Sequence, residues 1–437
     1  MFRTEKVDGE LLLRNHRRLG PDRFVDSAGA EIWLLERPKR RTWSPTGTLV
    51  DSVPVDHVVV DDPAGVRLRV TEPCEVDMAD LLPDEAAAAE RDRREPMTVI
   101  GSFESLGGPR DIGRFLVGST VLDTTDFGGR RCPSEQTALS IYRIARMRGG
   151  AFWDSTAREI ADIVARRITD SPGGRPVHDL LGQGESHTRF LADALLLLLA
   201  DGRVDAARRA GAALEAMSVP WREARWYAHD TAERDADRND LVLNTHVHAT
   251  VAAHAAGVDV APALRALDAA LALPSERGRG FVVAAMLGVS DRLRSIGHGH
   301  ALAHRAEQMA GRARARSPHL RLPGGWIARD ATGNPAPSYF TVNLSDLAVL
   351  DRVCPTPAST AALRAGLRYA RRSAHFAAQR RDRDPLAVLV PSLLRNAGLL
   401  DAARRASEAT VAAGWVPAIG WPDYEDHLWE RLPAGTP

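Results

Sequence analysis

Imidazole, phenol, carboxylate and guanidinium groups crowd the starts of three otherwise apolar stretches of this 437-residue chain. Such groups exchange protons and stabilise developing charge, so these stretches are where acid–base chemistry would sit. The first is Gly182-Gln-Gly-Glu-Ser-His-Thr-Arg-Phe190, which runs into the apolar run Leu195–Leu199. Glycines on both sides of Gln183 let the backbone turn sharply or approach a ligand. Glu185, His187 and Arg189 follow within the first turns. Helix capping by Ser186 and Glu185 is the plain structural alternative.

The second stretch is Leu241–Thr250, containing Asn244, His246 and His248. Asn244 and His248 stand four apart and share a helix face, whereas His246 points away by about 200°. Buried Asn and His need partners, so three of them among Val and Ala require a reason. Satisfied core or surface histidines are the structural alternative. The third stretch holds Gly324-Gly-Trp-Ile-Ala-Arg-Asp330 and then Tyr339 and Asn343, again four apart. The chain has only five tyrosines, which makes this one a candidate, although an anchor at a helix start would also place it. His229-Asp230 adds a further titratable pair.

Several chemistries are disfavoured. His246 and His248 are two apart and do not converge on one ion, and H-E-x-x-H is absent, so no metal is expected. The cluster His298, His300 and His304 reads as a solvated helix start, and Asp123-Thr-Thr-Asp126 as a turn or cap. No phosphate-binding lysine loop, dinucleotide fingerprint or nucleophile elbow occurs, and no cofactor is expected. Of the 57 basic residues only Lys6 and Lys39 are lysines. That bias, with abundant Ala, is the composition of a GC-rich bacterial genome.

The 57 basic and 57 acidic residues cancel, which argues against a nucleic-acid partner held by bulk charge. No apolar run is long enough for a membrane span, and Leu11–Leu13 gives way at once to Arg14-Asn-His-Arg-Arg18, unlike a signal peptide. Cys74, Cys132 and Cys354 are scattered, so no disulfide framework is expected. The cytoplasm is the expected location.

The elements that must position these side chains fall into two regions. Residues 1–125 read as a small β-rich region, with strands at Glu31–Glu36, Thr48–Val60, Val66–Thr71 and Met97–Phe103, and a short helix or linker at Glu85–Glu90. Residues 126–437 read as about six successive helix pairs, with Trp-bearing loops between pairs. The expected fold is therefore mainly α: an α/α toroid whose loops gather at one mouth. An open solenoid is the other closure.

The order of the motifs resembles the C-terminal region of the D-glucuronyl C5-epimerase family. The matching residues are Gly182-Gln183-Gly184, Val242-Leu243-Asn244, Gly325-Trp326 to Asp330, and Tyr339-Phe-Thr-Val-Asn343. Departures are Thr245 for a glycine, Arg329 for a loop tyrosine, and Phe340 and Asn343 for two histidines. The resemblance implies a uronate substrate, whose proton alpha to the carboxylate is removed in an epimerase or lyase reaction. On that reading His187, Arg189 and Asn244 bind the carboxylate. His246 or His248 pairs with Tyr339 as acid and base, and Trp226 and Trp326 stack on sugar rings. Gln183, Glu185, His229, Asp230 and Asn343 complete the substrate-binding set. A natural-product or terpenoid cyclase or lyase, and a non-catalytic helical-repeat scaffold, are the alternatives. The oligomeric state is left open.

Overall fold

Alternation of apolar and polar residues builds the start of the chain into strands. In the computed structural model the described residues are 2–43, 49–92, 97–99, 104–106, 112, 125–127, 130–132, 135–176, 186–221, 223–229, 242–271, 285–286, 288–290, 292–293, 299–315 and 339–415. Two compact units result. One is Met1–Arg167 with His178–Gly184 and Asp201–Arg203; the other is Ile168–Val177, Glu185–Ala200 and Val204–Pro437.

The first unit opens with ten strands: β1 (Phe2–Val7), β2 (Glu10–Arg14), β3 (His16–Arg18), β4 (Arg23–Asp26), β5 (Glu31–Leu34), β6 (Lys39–Trp43), β7 (Leu49–Pro54), β8 (His57–Asp62), β9 (Gly65–Val70) and β10 (Cys74–Leu81). Seven form one antiparallel sheet in the order β3-β4-β5-β10-β6-β7, with β1 on the other edge of β10. The β1–β10 register runs from Phe2 opposite Ala79 to Val7 opposite Cys74. β2, β9 and β8 form a second sheet. Phe24, Ile32, Val76 and Met78 of the first sheet share one core with Leu13, Val66 and Leu68 of the second. Gly65 ends the β8–β9 turn at φ +150°, where a Cβ would run into the carbonyl oxygen of Leu13, so only glycine fits.

Acids inside β10 are neutralised by strand neighbours. The Arg41 side chain, 1% exposed, meets Asp77 and also bonds Glu75 at 3.1 Å and Glu36 at 2.9 Å. Thr4 donates to Asp77 at 2.7 Å. The unit continues with α1 (Pro83–Asp92), the short hairpins β11 (Met97–Val99)/β12 (Glu104–Leu106) and β13 (Thr125–Phe127)/β14 (Arg130–Cys132), α2 (Glu135–Arg148) and α3 (Ala151–Asp170). α3 runs on past the unit boundary.

The second unit holds α4 (Thr188–Ala200), α5 (Val204–Glu215), the hairpin β15 (Ser218–Trp221)/β16 (Ala224–Tyr227), α6 (Leu243–Ala255), α7 (Ala261–Leu271), α8 (His300–Ala315), α9 (Tyr339–Val353), α10 (Pro357–Arg372), α11 (His375–Arg381), α12 (Val390–Asn396) and α13 (Leu400–Ala412). α4, α6, α9 and α12 pack as neighbours in that order, and α5, α7, α10 and α13 lie against them. α6 is buried on nearly every face, His254 excepted. α10 starts on a capping box made by Thr356 and Ser359.

The expected mainly-α toroid with a small β region is therefore corrected. The β part is large, ten strands in two antiparallel sheets. The helix pair α2–α3, expected to begin the helical array, belongs for most of its length to the strand-bearing unit. Among the described residues the inner helices form a row, and no extended contact joins α12 back to α4 to close a ring. The physical reason is that helical periodicity fixes which faces are buried, but not how many hairpins share one core. No helix among the described residues is long and apolar enough to cross a membrane.

Candidate active site

Buried polar side chains concentrate where α4 meets α6 and α9. The β15–β16 hairpin delivers His229 to this seam, and its carbonyl accepts the Thr188 amide at 3.0 Å, closing the first turn of α4. Helical spacing then sets the rest. Arg189 and Asp193 are four apart on α4, and Thr245 and His248 three apart on α6, so each pair shares a face.

The first contact is a chain of imidazoles. His187 Nε2 lies 3.2 Å from His229 Nε2, and His229 Nδ1 lies 3.1 Å from Thr245 Oγ1. The Arg189 amide donates to His187 Nδ1 at 3.3 Å. That donor fixes the direction of the whole chain. His187 must carry its proton on Nε2 and donate it to His229, and His229 must then donate from Nδ1 to the threonine hydroxyl. His187 also stacks on Phe190, centroids 4.5 Å apart.

The second contact is a two-pronged ion pair. Arg189 Nη1 and Nη2 donate to Asp346 at 2.8 and 3.1 Å, and Nη1 also reaches the Asn244 carbonyl at 3.4 Å. Arg189, expected to receive a substrate carboxylate, is thus engaged by the protein's own. The third contact joins His248 Nε2 to Asp193 Oδ1 at 2.7 Å. A carboxylate only accepts, so in the neutral ring Nε2 carries the proton and Nδ1 does not. Asp193 Oδ2 is buried with no hydrogen-bond partner among the described residues.

His246, on the opposite side of α6, has a different role. Its ring lies flat on Trp226, centroids 3.8 Å apart and planes 11° apart. Nδ1 accepts the Tyr227 amide at 3.1 Å, and Nε2 donates to the Ala263 carbonyl at 3.1 Å. Complete burial pushes its pKa down to about 3, against the small upward pull of the Ala263 hydrogen bond. Both nitrogens are committed, so His246 holds structure and Trp226, fully buried beneath it, presents no face to a sugar. Burial pushes the neighbouring Tyr227 phenol up to about 12.

Of the residues expected from sequence, His187, Arg189, His229, Asn244 and His248 come together at this seam. Asn343 is buried in the first turns of α9, whose Asp346 holds Arg189. Tyr339 opens α9, and its side chain lies outside the described residues. Gln183, Glu185, Asp230 and Trp326 also lie outside them. Asp193, Asp346 and Thr245 are partners that the sequence alone does not single out. The signal for Asp193 was present: a lone acid inside the apolar run Phe190–Ala200. Among the described residues no group of three or more His, Cys, Asp or Glu side chains is placed to hold a metal ion. No family model, curated protein or solved structure matches the chain.

Proposed function

We propose that the helical unit is an acid–base enzyme that removes the proton alpha to a carboxylate, acting on a uronate in an epimerase or lyase reaction. The observation that carries this reading is the buried Asp193–His248 pair. A carboxylate behind an imidazole fixes its tautomer and stabilises the imidazolium formed when the other nitrogen takes a proton. His248 Nδ1 is the base. As the C–H bond breaks, its electron pair moves onto the substrate carboxylate, which needs hydrogen-bond donors there. With Arg189 held by Asp346, the amides of Asn244 and Asn343 are the donors assigned. Epimerisation then needs a proton delivered to the opposite face; elimination needs it on the leaving oxygen. Tyr339 and the His187–His229 pair are the groups assigned to that delivery.

The order of motifs from Gly182 to Asn343 supports a uronate as the substrate class. The expected cytoplasmic location favours a small or nucleotide-linked uronate over a polymer. The test is solvent deuterium incorporation at the carbon alpha to the carboxylate, across a panel of uronates and oligouronides. Exchange by the wild type that disappears in His248→Ala and in Tyr339→Phe is the expected result. No exchange on any member of the panel overturns the uronate reading and leaves a natural-product cyclase or a binding scaffold.

A further inference from the structure

A cavity of about 440 Å³ opens within the strand-bearing unit, between β1, β5 and β10 on one side and α3 on the other. That volume lies in the range of small-molecule sites. Its floor is apolar: Phe2, Ile32, Leu81 and Phe152 are all buried. Phe2 and Phe152 meet edge to face, centroids 5.5 Å apart. α3 contributes Phe152, Thr156 and Glu159, spaced four and three apart and so on one helix face.

Four carboxylates line the cavity, and three are already matched. Glu31 binds Arg23 at 2.9 Å and the Trp33 indole N–H at 2.6 Å. Asp80 binds Arg3 at 2.7 Å. Glu85 accepts the Leu82 amide at 2.7 Å. Glu159 has no hydrogen bond or ion pair among the described residues. Burial pushes its carboxyl up; the amino terminus and Arg166 pull it back through space, and Asp162 adds to the rise. A half-buried anion without a bonded counter-charge, beside aromatic rings, complements an organic cation. A divalent metal fits poorly, because it needs several oxygen ligands at once and the other three carboxylates are engaged.

We propose that this cavity binds a small organic ammonium ion, its charged nitrogen on Glu159 and its apolar body against Phe2 and Phe152. The site is independent of the acid–base chemistry assigned to the helical unit. Calorimetric titration of the full chain with benzylammonium chloride, and with benzyl alcohol as the neutral match, tests it. Benzylammonium should bind the wild type about tenfold or more tighter than the alcohol. Glu159→Gln should bring the two to equal affinity while leaving the alcohol unchanged. Ser155→Trp, which adds a ring at an exposed lining position, should block both ligands without touching the core. Equal affinities in the wild type, an unaltered response in Glu159→Gln, or no binding of benzylammonium overturns the proposal.

Discussion

Asp193 Oδ1 lies 2.7 Å from His248 Nε2, and each side chain is only 3% exposed. Neither partner can rotate into solvent, so the pair acts as one unit. Asp193→Asn keeps an acceptor in place but removes the charge that stabilises an imidazolium. Proton exchange should fall about a hundredfold or more, as in His248→Ala. The double variant should be no slower than the slower single one, because groups acting as a unit lose their effect together. Multiplicative losses in deuterium-exchange rates would show that the two act separately.

His246 makes stability depend on pH. Its folded pKa, about 3, lies below the ordinary value of 6.5. Between these values the unfolded chain binds a proton that the folded chain does not. Stability therefore rises with pH across this window and is lost as pH falls from about 6.5 toward 3, by about 1.4 kcal/mol per pH unit. His246→Phe keeps a ring on Trp226 and should remove that slope. It should also cost about 1–3 kcal/mol near neutrality, since the Tyr227 amide and Ala263 carbonyl lose their partner. Urea denaturation at several pH values measures both; an unchanged slope would mean His246 titrates normally.

The Arg189–Asp346 pair, with side chains 11% and 3% exposed, ties α4 to α9. Removing one partner strands a buried charge, so Arg189→Leu should destabilise by about 3–5 kcal/mol. Arg189→Leu combined with Asp346→Leu should recover part of that loss, because no charge is left unpaired. A double variant less stable than the single one in chemical denaturation would contradict this account.

The imidazole chain from His187 to Thr245 specifies two opposite tautomers. Nitrogen-15 NMR of the ring resonances should find His187 protonated on Nε2 and His229 on Nδ1. Thr245→Val removes the terminal acceptor and should perturb His229 more than His187. Identical tautomers at the two rings would break the directionality derived from the Arg189 amide.

Helix positions were the most legible feature of the sequence. Helices such as Ala261–Leu271 and Tyr339–Val353 fall within the stretch 126–437 that reads as helical, because apolar spacing reports which face meets a neighbour. The opposed directions of His246 and His248 were legible for the same reason. Arg189 was legible as a polar residue in an apolar setting. Its partner was not, because Asp346 is 157 residues away and only tertiary packing joins them. β10 escaped notice because Glu75, Asp77 and Asp80 oppose strand propensity; Arg41 and Arg3, from other strands, make those acids tolerable. The toroid failed where periodicity carries no information, in the sharing of cores between hairpins.

The pairing of β1 with β10 constrains how the chain is made. β1 leaves the ribosome well ahead of its partner β10, which ends at Leu81. At about 5–20 residues per second, Phe2–Val7 waits several seconds with its backbone donors and acceptors open. The charges of Arg3, Glu5 and Lys6 within it are suited to that interval, since charged side chains discourage an unpaired edge from joining another chain. The same residues later face β10, with Arg3 held by Asp80. One short segment thus protects the nascent chain and then closes the sheet.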